Sequence, residues 1–204
     1  MTVSTADTAN ELREELVTCL IDSGHLRTPE VIAAFRDTER HRFLPGVDLQ
    51  AAYAHDVVAL KRDETGEMIS CISTPSIVAT QLEQLGAEPG HKILEAGAAT
   101  GYNAALLGRL VAPSGHVWTV DVDQDLVDGA RKNLAEAGGS NVNSARGSGC
   151  AAVRNSARVV PNSWLFPHCW RWIEHRSVPP DRTRSQAPTT HPQWSRVRGP
   201  AACP

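Results

Sequence analysis

No stretch of this 204-residue chain is long and apolar enough to suggest a membrane span. Its opening, MTVSTADTANELREEL, lacks the basic-then-apolar pattern of a secretory signal. The cytoplasm is therefore the expected compartment, and no membrane partner is expected. The five cysteines, Cys19, Cys71, Cys150, Cys169 and Cys203, form neither a C-x-x-C pair nor an even set. Reduced thiols are expected rather than a disulfide framework. Cys150, His168, Cys169 and His175 crowd one region, but their spacing fits no zinc pattern, so no metal is expected. Lysine is absent from residue 143 onwards, where nine arginines face two acids, a net charge of +7. Residues 1–142 carry 11 basic against 21 acidic side chains, a net charge of −10. The overall −3 therefore hides a break near Asn143.

What is present points to an open α/β sheet. His91 to Leu94 is short, apolar and preceded by the turn pair Pro89-Gly90, as a buried parallel strand would be. Glu95 follows, then Gly97, where the absence of a Cβ lets the chain bend and lets a ligand approach the backbone. From Gly101 the residues Ala104, Ala105, Leu107, Leu110 and Val111 recur at helical spacing, so a turn feeds a helix whose free N–H groups can meet a polar ligand. A second strand, His116 to Val120, ends in Asp121, an acid placed to accept hydrogen bonds from ribose hydroxyls. A dinucleotide fingerprint requires G-x-G-x-x-G, whereas Ala99 and Tyr102 stand at its second and third glycine positions. The bulk of Tyr102 argues against NAD.

Upstream, Leu12, Leu16, Cys19 and Leu20 give a helix over Asn10 to Asp22, and Pro29 opens a second one carrying Val31, Ile32 and Phe35. Val57 to Leu60 reads as a short strand and Lys61 to Glu67 as a charged turn around Gly66. Ile77, Val78, Leu82 and Leu85 give a helix started by Pro75. From local chemistry alone, Ser73 or Thr74 is its cap.

The ordered segments RHRFLPG (Arg40 to Gly46), Ala52-Tyr53, ISTPSIVATQLEQL (Ile72 to Leu85), PGHKILEAGAATGYNAALLGRLV (Pro89 to Val111) and GHVWTVDVDQDLVDGARKNL (Gly115 to Leu134) resemble the protein-L-isoaspartate O-methyltransferase family over residues 12–142. The LPG element and Lys61-Arg62 suggest its lanthipeptide-associated "FxLD system" branch. The resemblance implies a Rossmann-like class I methyltransferase fold, with residues 1–88 as a helical, substrate-side region and 89–142 as the first half of the cofactor-binding domain. It implies that Glu95, Gly97, Ala98, Gly101, Tyr102 and Asp121 bind S-adenosyl-L-methionine. Ser73 is implied in the active site, its hydroxyl hydrogen-bonded to a substrate carboxylate. The implied reaction is carboxyl O-methylation of isoaspartyl or aspartyl residues in a protein or peptide, for protein repair or for modification of a dedicated peptide.

Two departures stand against that pattern. Ala99 replaces a glycine of the family's cofactor turn, where its Cβ is expected to crowd the ligand. After Asn143 the family's strand and glycine-aspartate-glycine element are not legible, and the fold is expected to be incomplete at the C-terminus. Residues 143–204 hold eight of the chain's thirteen prolines and four of its five tryptophans, with no sustained periodicity. Three readings apply to them: a nucleic-acid-binding arm, proline-rich disorder, or translation from a shifted frame, which the abrupt change favours. Nucleic acid is not the expected partner. The competing functions are a non-catalytic cofactor- or peptide-binding protein with a basic tail, and a non-functional truncated product.

Overall fold

The computed structural model describes residues 5–147 and the strand at 158–161. Helix α1, Thr5–Asp22, starts one turn earlier than its apolar stripe suggests and buries Leu16, Val17 and Leu20. In α2, Pro29–Asp37, the proline sits in the first turn, where its missing N–H has no helical partner to lose. A short 3-10 turn, Arg40–Phe43, leads to α3, Leu49–Tyr53, whose N-cap Asp48 accepts the Gln50 N–H at 2.9 Å. Strands β1, Val58–Arg62, and β2, Met68–Ile72, pair as an antiparallel hairpin. Its turn is held by Asp63, whose Oδ1 accepts the N–H groups of Thr65 and Glu67 and the Thr65 hydroxyl.

Helix α4, Pro75–Leu85, has Thr74 as its N-cap, but no side-chain capping bond forms; the Thr74 hydroxyl lies 3.3 Å from that of Ser76. The capping role read for Ser73 or Thr74 is thus not made. Proline at the first position removes one donor that a cap would otherwise serve.

The remaining elements build the main layer: β3 Lys92–Ala96, α5 Tyr102–Val111, β4 His116–Asp121, α6 Gln124–Glu136, β5 Val142–Arg146 and β6 Arg158–Pro161. The four strands are all parallel, in the order β5-β4-β3-β6. Chain order therefore runs outward from β3 to one edge, then crosses to β6 on the other side of β3. That reversal is the switch point of an open α/β sheet, where loops at the carboxyl ends part to admit a ligand. Helix α5 is buried at every position except Arg109, because it lies between the sheet and the N-terminal helices.

Strands β5 and β6 form where the sequence shows no legible strand. Only Val142 of β5 is buried, so the strand carries no apolar run to read; backbone pairing with β4 holds it. The rest of the arginine- and tryptophan-rich tail, with Cys150, His168, Cys169, His175 and Cys203, lies outside the described residues. Cys71 is not disulfide-bonded, whereas Cys19 is, contrary to the fully reduced set expected. Among the described residues no helix is long and apolar enough to cross a membrane.

Candidate active site

The turn after β3 is stitched to the end of β4. The N–H groups of Gly97 and Ala98 both donate to the Val120 carbonyl, at 2.8 and 3.1 Å, and the Gly101 N–H closes the turn onto the Ala98 carbonyl at 2.8 Å. Gly97 and Gly101 have φ of 102° and 86°, in the left-handed region that a Cβ disfavours. At Gly101 space is short as well, since a Cβ would stand 3.1 Å from Leu134 Cγ and 3.2 Å from the Ala130 carbonyl oxygen of α6. Ala99 shares the left-handed conformation, with φ 46°, and is the one non-glycine residue to do so among the described residues. Its N–H donates to Asp121 Oδ2 at 3.2 Å, while the Asp123 N–H donates to Oδ1 at 3.1 Å. Two backbone donors thus orient the half-buried Asp121 carboxylate beside the turn.

Glu95, the fourth residue of β3, is fully buried. Asn103 Nδ2 donates to one carboxylate oxygen at 2.8 Å and the Thr119 hydroxyl to the other at 2.5 Å. Burial nevertheless pushes its carboxyl up to about 7; those two hydrogen bonds pull it down without offsetting the desolvation, and Asp121 adds to the rise. Around the turn Thr100 Oγ1 and Asn103 Oδ1 are buried with no partner among the described residues. Asn133 of α6 pins the loop by donating to the Thr100 carbonyl at 3.0 Å.

Tyr102 does not turn toward this loop. Its ring is 2% exposed and packs edge-on against Phe43 and Phe35, at centroid distances of 5.6 and 6.4 Å. The Tyr102 side chain is therefore a core group, and burial raises its hydroxyl to about 12. Over its ring, 5.0 Å from the centroid, lies the guanidinium of Arg40, which is itself fully buried. Arg40 donates from Nε to the Ala52 carbonyl at 2.9 Å and from Nη2 to the Ser73 carbonyl at 3.2 Å. Burial holds its pKa below the ordinary arginine range. Ser73 is half-buried, with its hydroxyl bonded to no described residue.

The structure thus gathers Glu95, Gly97, Ala98, Gly101 and Asp121 at the carboxyl ends of β3 and β4. Ser73 is joined to that group through Arg40. Thr100, Asn103, Thr119 and Arg40 escaped the sequence reading. The first three are polar residues inside apolar runs, a weak signal; Arg40 sits in a basic run that reads as surface. Two clefts of about 400 Å³ lie around the α6–β5 turn, at the opposite end of the sheet, and neither includes any of the site residues.

A parallel sheet reversing at β3, a glycine turn after it and an acid ending the neighbouring strand define a Rossmann-like class I methyltransferase fold. The chain belongs to the protein-L-isoaspartate(D-aspartate) O-methyltransferase family, whose profile matches residues 10–158. It is 39% identical over 132 residues to the protein-L-isoaspartate O-methyltransferase of Methanosarcina mazei, covering 65% of this chain and 51% of that relative. A solved protein-L-isoaspartate O-methyltransferase superposes with a TM-score of 0.60 and 33% identity over 67% of this chain and 42% of its own. A Plasmodium falciparum protein solved in complex with S-adenosyl-L-homocysteine matches 64% of this chain and 60% of its own with a TM-score of 0.54. At 17% identity that likeness speaks to the fold alone. The chain spans about half the length of the curated relatives it matches.

Proposed function

We propose that this chain transfers a methyl group from S-adenosylmethionine to the side-chain carboxylate of isoaspartyl, or aspartyl, residues in a protein or peptide. The observation that carries the reading is the placement of Glu95 and Asp121 at the ends of adjacent parallel strands, on either side of a glycine turn at the sheet's switch point, in a member of this family. Bound there, the cofactor supplies a methyl group on a positively charged sulfur, open to in-line attack by a carboxylate oxygen. The residues present fit such a ligand. Asp121 offers oriented acceptors for ribose hydroxyls, and the unpartnered Thr100 Oγ1 and Asn103 Oδ1 are buried acceptors beside the turn. Glu95 supplies a buried carboxyl group under the turn, Gly97, Ala98 and Gly101 supply close backbone, and Tyr102 contributes through its main chain.

Ser73 takes the substrate side in this reading, its unengaged hydroxyl donating to the carboxylate that is methylated. No general base is required, because a carboxylate is already ionised at neutral pH. Holding the two reactants in line supplies most of the acceleration. Both isoaspartate repair and modification of a dedicated peptide use this chemistry, and the LPG and Lys61-Arg62 elements favour the second.

Calorimetric titration with S-adenosylhomocysteine tests the cofactor site directly. Binding at one site per chain is expected, and absence of heat from folded protein would overturn the reading.

A further inference from the structure

The guanidinium of Arg40 is 0% exposed, yet no carboxylate among the described residues pairs with it. Burying an unpaired charge is costly, and an apolar side chain of the same volume would fill the space more cheaply. What an apolar side chain cannot do is reach two acceptors and a ring at once. Arg40 donates to Ala52 at the end of α3 and to Ser73 at the start of α4, and stacks over Tyr102, the first residue of α5. The rigid planar fork of arginine suits that task, and lysine's single ammonium does not. Tyr102 follows Gly101 directly and is wedged by Phe35 and Phe43, so a shift of the cofactor turn presses on Arg40. A shift of Arg40 in turn moves the Ser73 carbonyl.

We propose that Arg40 is a positioning residue, which sets the separation between the Ser73 turn and the Gly97–Gly101 loop and so aligns the two reactants. It touches neither; it acts through Ser73 and Tyr102. This inference rests on the methyltransferase reading above, and its test separates the two.

Hydrogen exchange is measured over residues 72–79 and 97–108, with and without S-adenosylhomocysteine, in the wild type and in Arg40→Lys. In the wild type the ligand is expected to slow exchange in both segments. In Arg40→Lys, protection of 97–108 persists while that of 72–79 returns to the unliganded level. In turnover with an isoaspartyl peptide, Arg40→Lys is expected to lose about 100-fold in kcat, with the KM for S-adenosylmethionine little changed. No protection of 97–108 in the wild type would refute the cofactor reading and this inference with it. Protection of 97–108 without any at 72–79 would refute the coupling alone, and needs no variant. Full protection of 72–79 with wild-type kcat in Arg40→Lys, or loss of protection in both segments together, would equally overturn it.

Discussion

At the scale of single residues, the site is defined by a carboxyl group placed where ionisation is unfavourable. Glu95 titrates near 7 in the folded chain because it is desolvated. The folded state therefore holds its proton more tightly than the unfolded chain does, and stability falls as pH rises from the ordinary glutamate range through 7. Glu95→Gln keeps the shape without the charge. Its stability advantage over the wild type is expected to grow by roughly 2 kcal/mol between pH 5 and pH 8 in urea unfolding. A difference independent of pH would mean that Glu95 is not held neutral.

Ala99 makes a second test. A left-handed alanine costs about 1–2 kcal/mol, partly offset by the greater freedom of glycine in the unfolded chain, so Ala99→Gly is expected to stabilise by up to about 1 kcal/mol. It should also tighten S-adenosylhomocysteine binding; unchanged affinity would show that the turn tolerates the methyl group. Asp121→Ala should weaken that binding more than Ser73→Ala does, since Asp121 lies against the turn and Ser73 reaches it only through Arg40. Equal losses in calorimetry would contradict the division into cofactor and substrate sides.

At the scale of elements, the β1–β2 hairpin is tied to the start of α6. Lys61 Nζ donates to Asp123 and, at 3.2 Å, to Asp125. Asp123 caps α6 and lies two residues beyond the proposed ribose acid, and its contact with Lys61 holds its carboxyl below the usual range. These ion pairs are partly solvated, so salt should weaken them. Lys61→Met is expected to speed hydrogen exchange across residues 58–72, and high salt to do the same to the wild type. Unchanged exchange would mean that backbone pairing alone holds the hairpin.

Most of this layer was legible in the sequence, because β3, α5, β4 and α4 carry apolar periodicity and punctuating glycines and prolines. The hairpin was half legible: its first strand was read over Val57 to Leu60, but Lys61 and Arg62, read as part of the turn, extend it, and the second strand, MISCI, is not fully apolar and exposes Ile69. Strand β5 was missed because its residues beyond Val142 are polar or exposed. Glycine spacing and the acid at Asp121 singled out the turn after β3 and the end of β4, which the fold brings into contact. Local chemistry misread Thr74 as a side-chain cap, and nothing in RHRF signals that its first arginine is buried while Arg42 is exposed.

At the scale of the whole molecule, a four-stranded parallel sheet with α5 and α6 packed on it carries the glycine turn after β3, and Ser73 stands in the link between the hairpin and α4. Residues 1–142 are strongly acidic and residues 143–204 strongly basic. A nucleic-acid-binding role for the basic part would appear as a salt-dependent mobility shift with DNA or RNA, lost on deleting residues 162–204. The measurement that bears most directly on the central claim is transfer of labelled methyl from S-adenosylmethionine to an isoaspartyl peptide. The expected result is base-labile label in the peptide, as a carboxyl methyl ester gives, strongly reduced in Asp121→Ala. Folded protein that binds S-adenosylhomocysteine yet leaves no base-labile label in isoaspartyl or aspartyl peptides would contradict it.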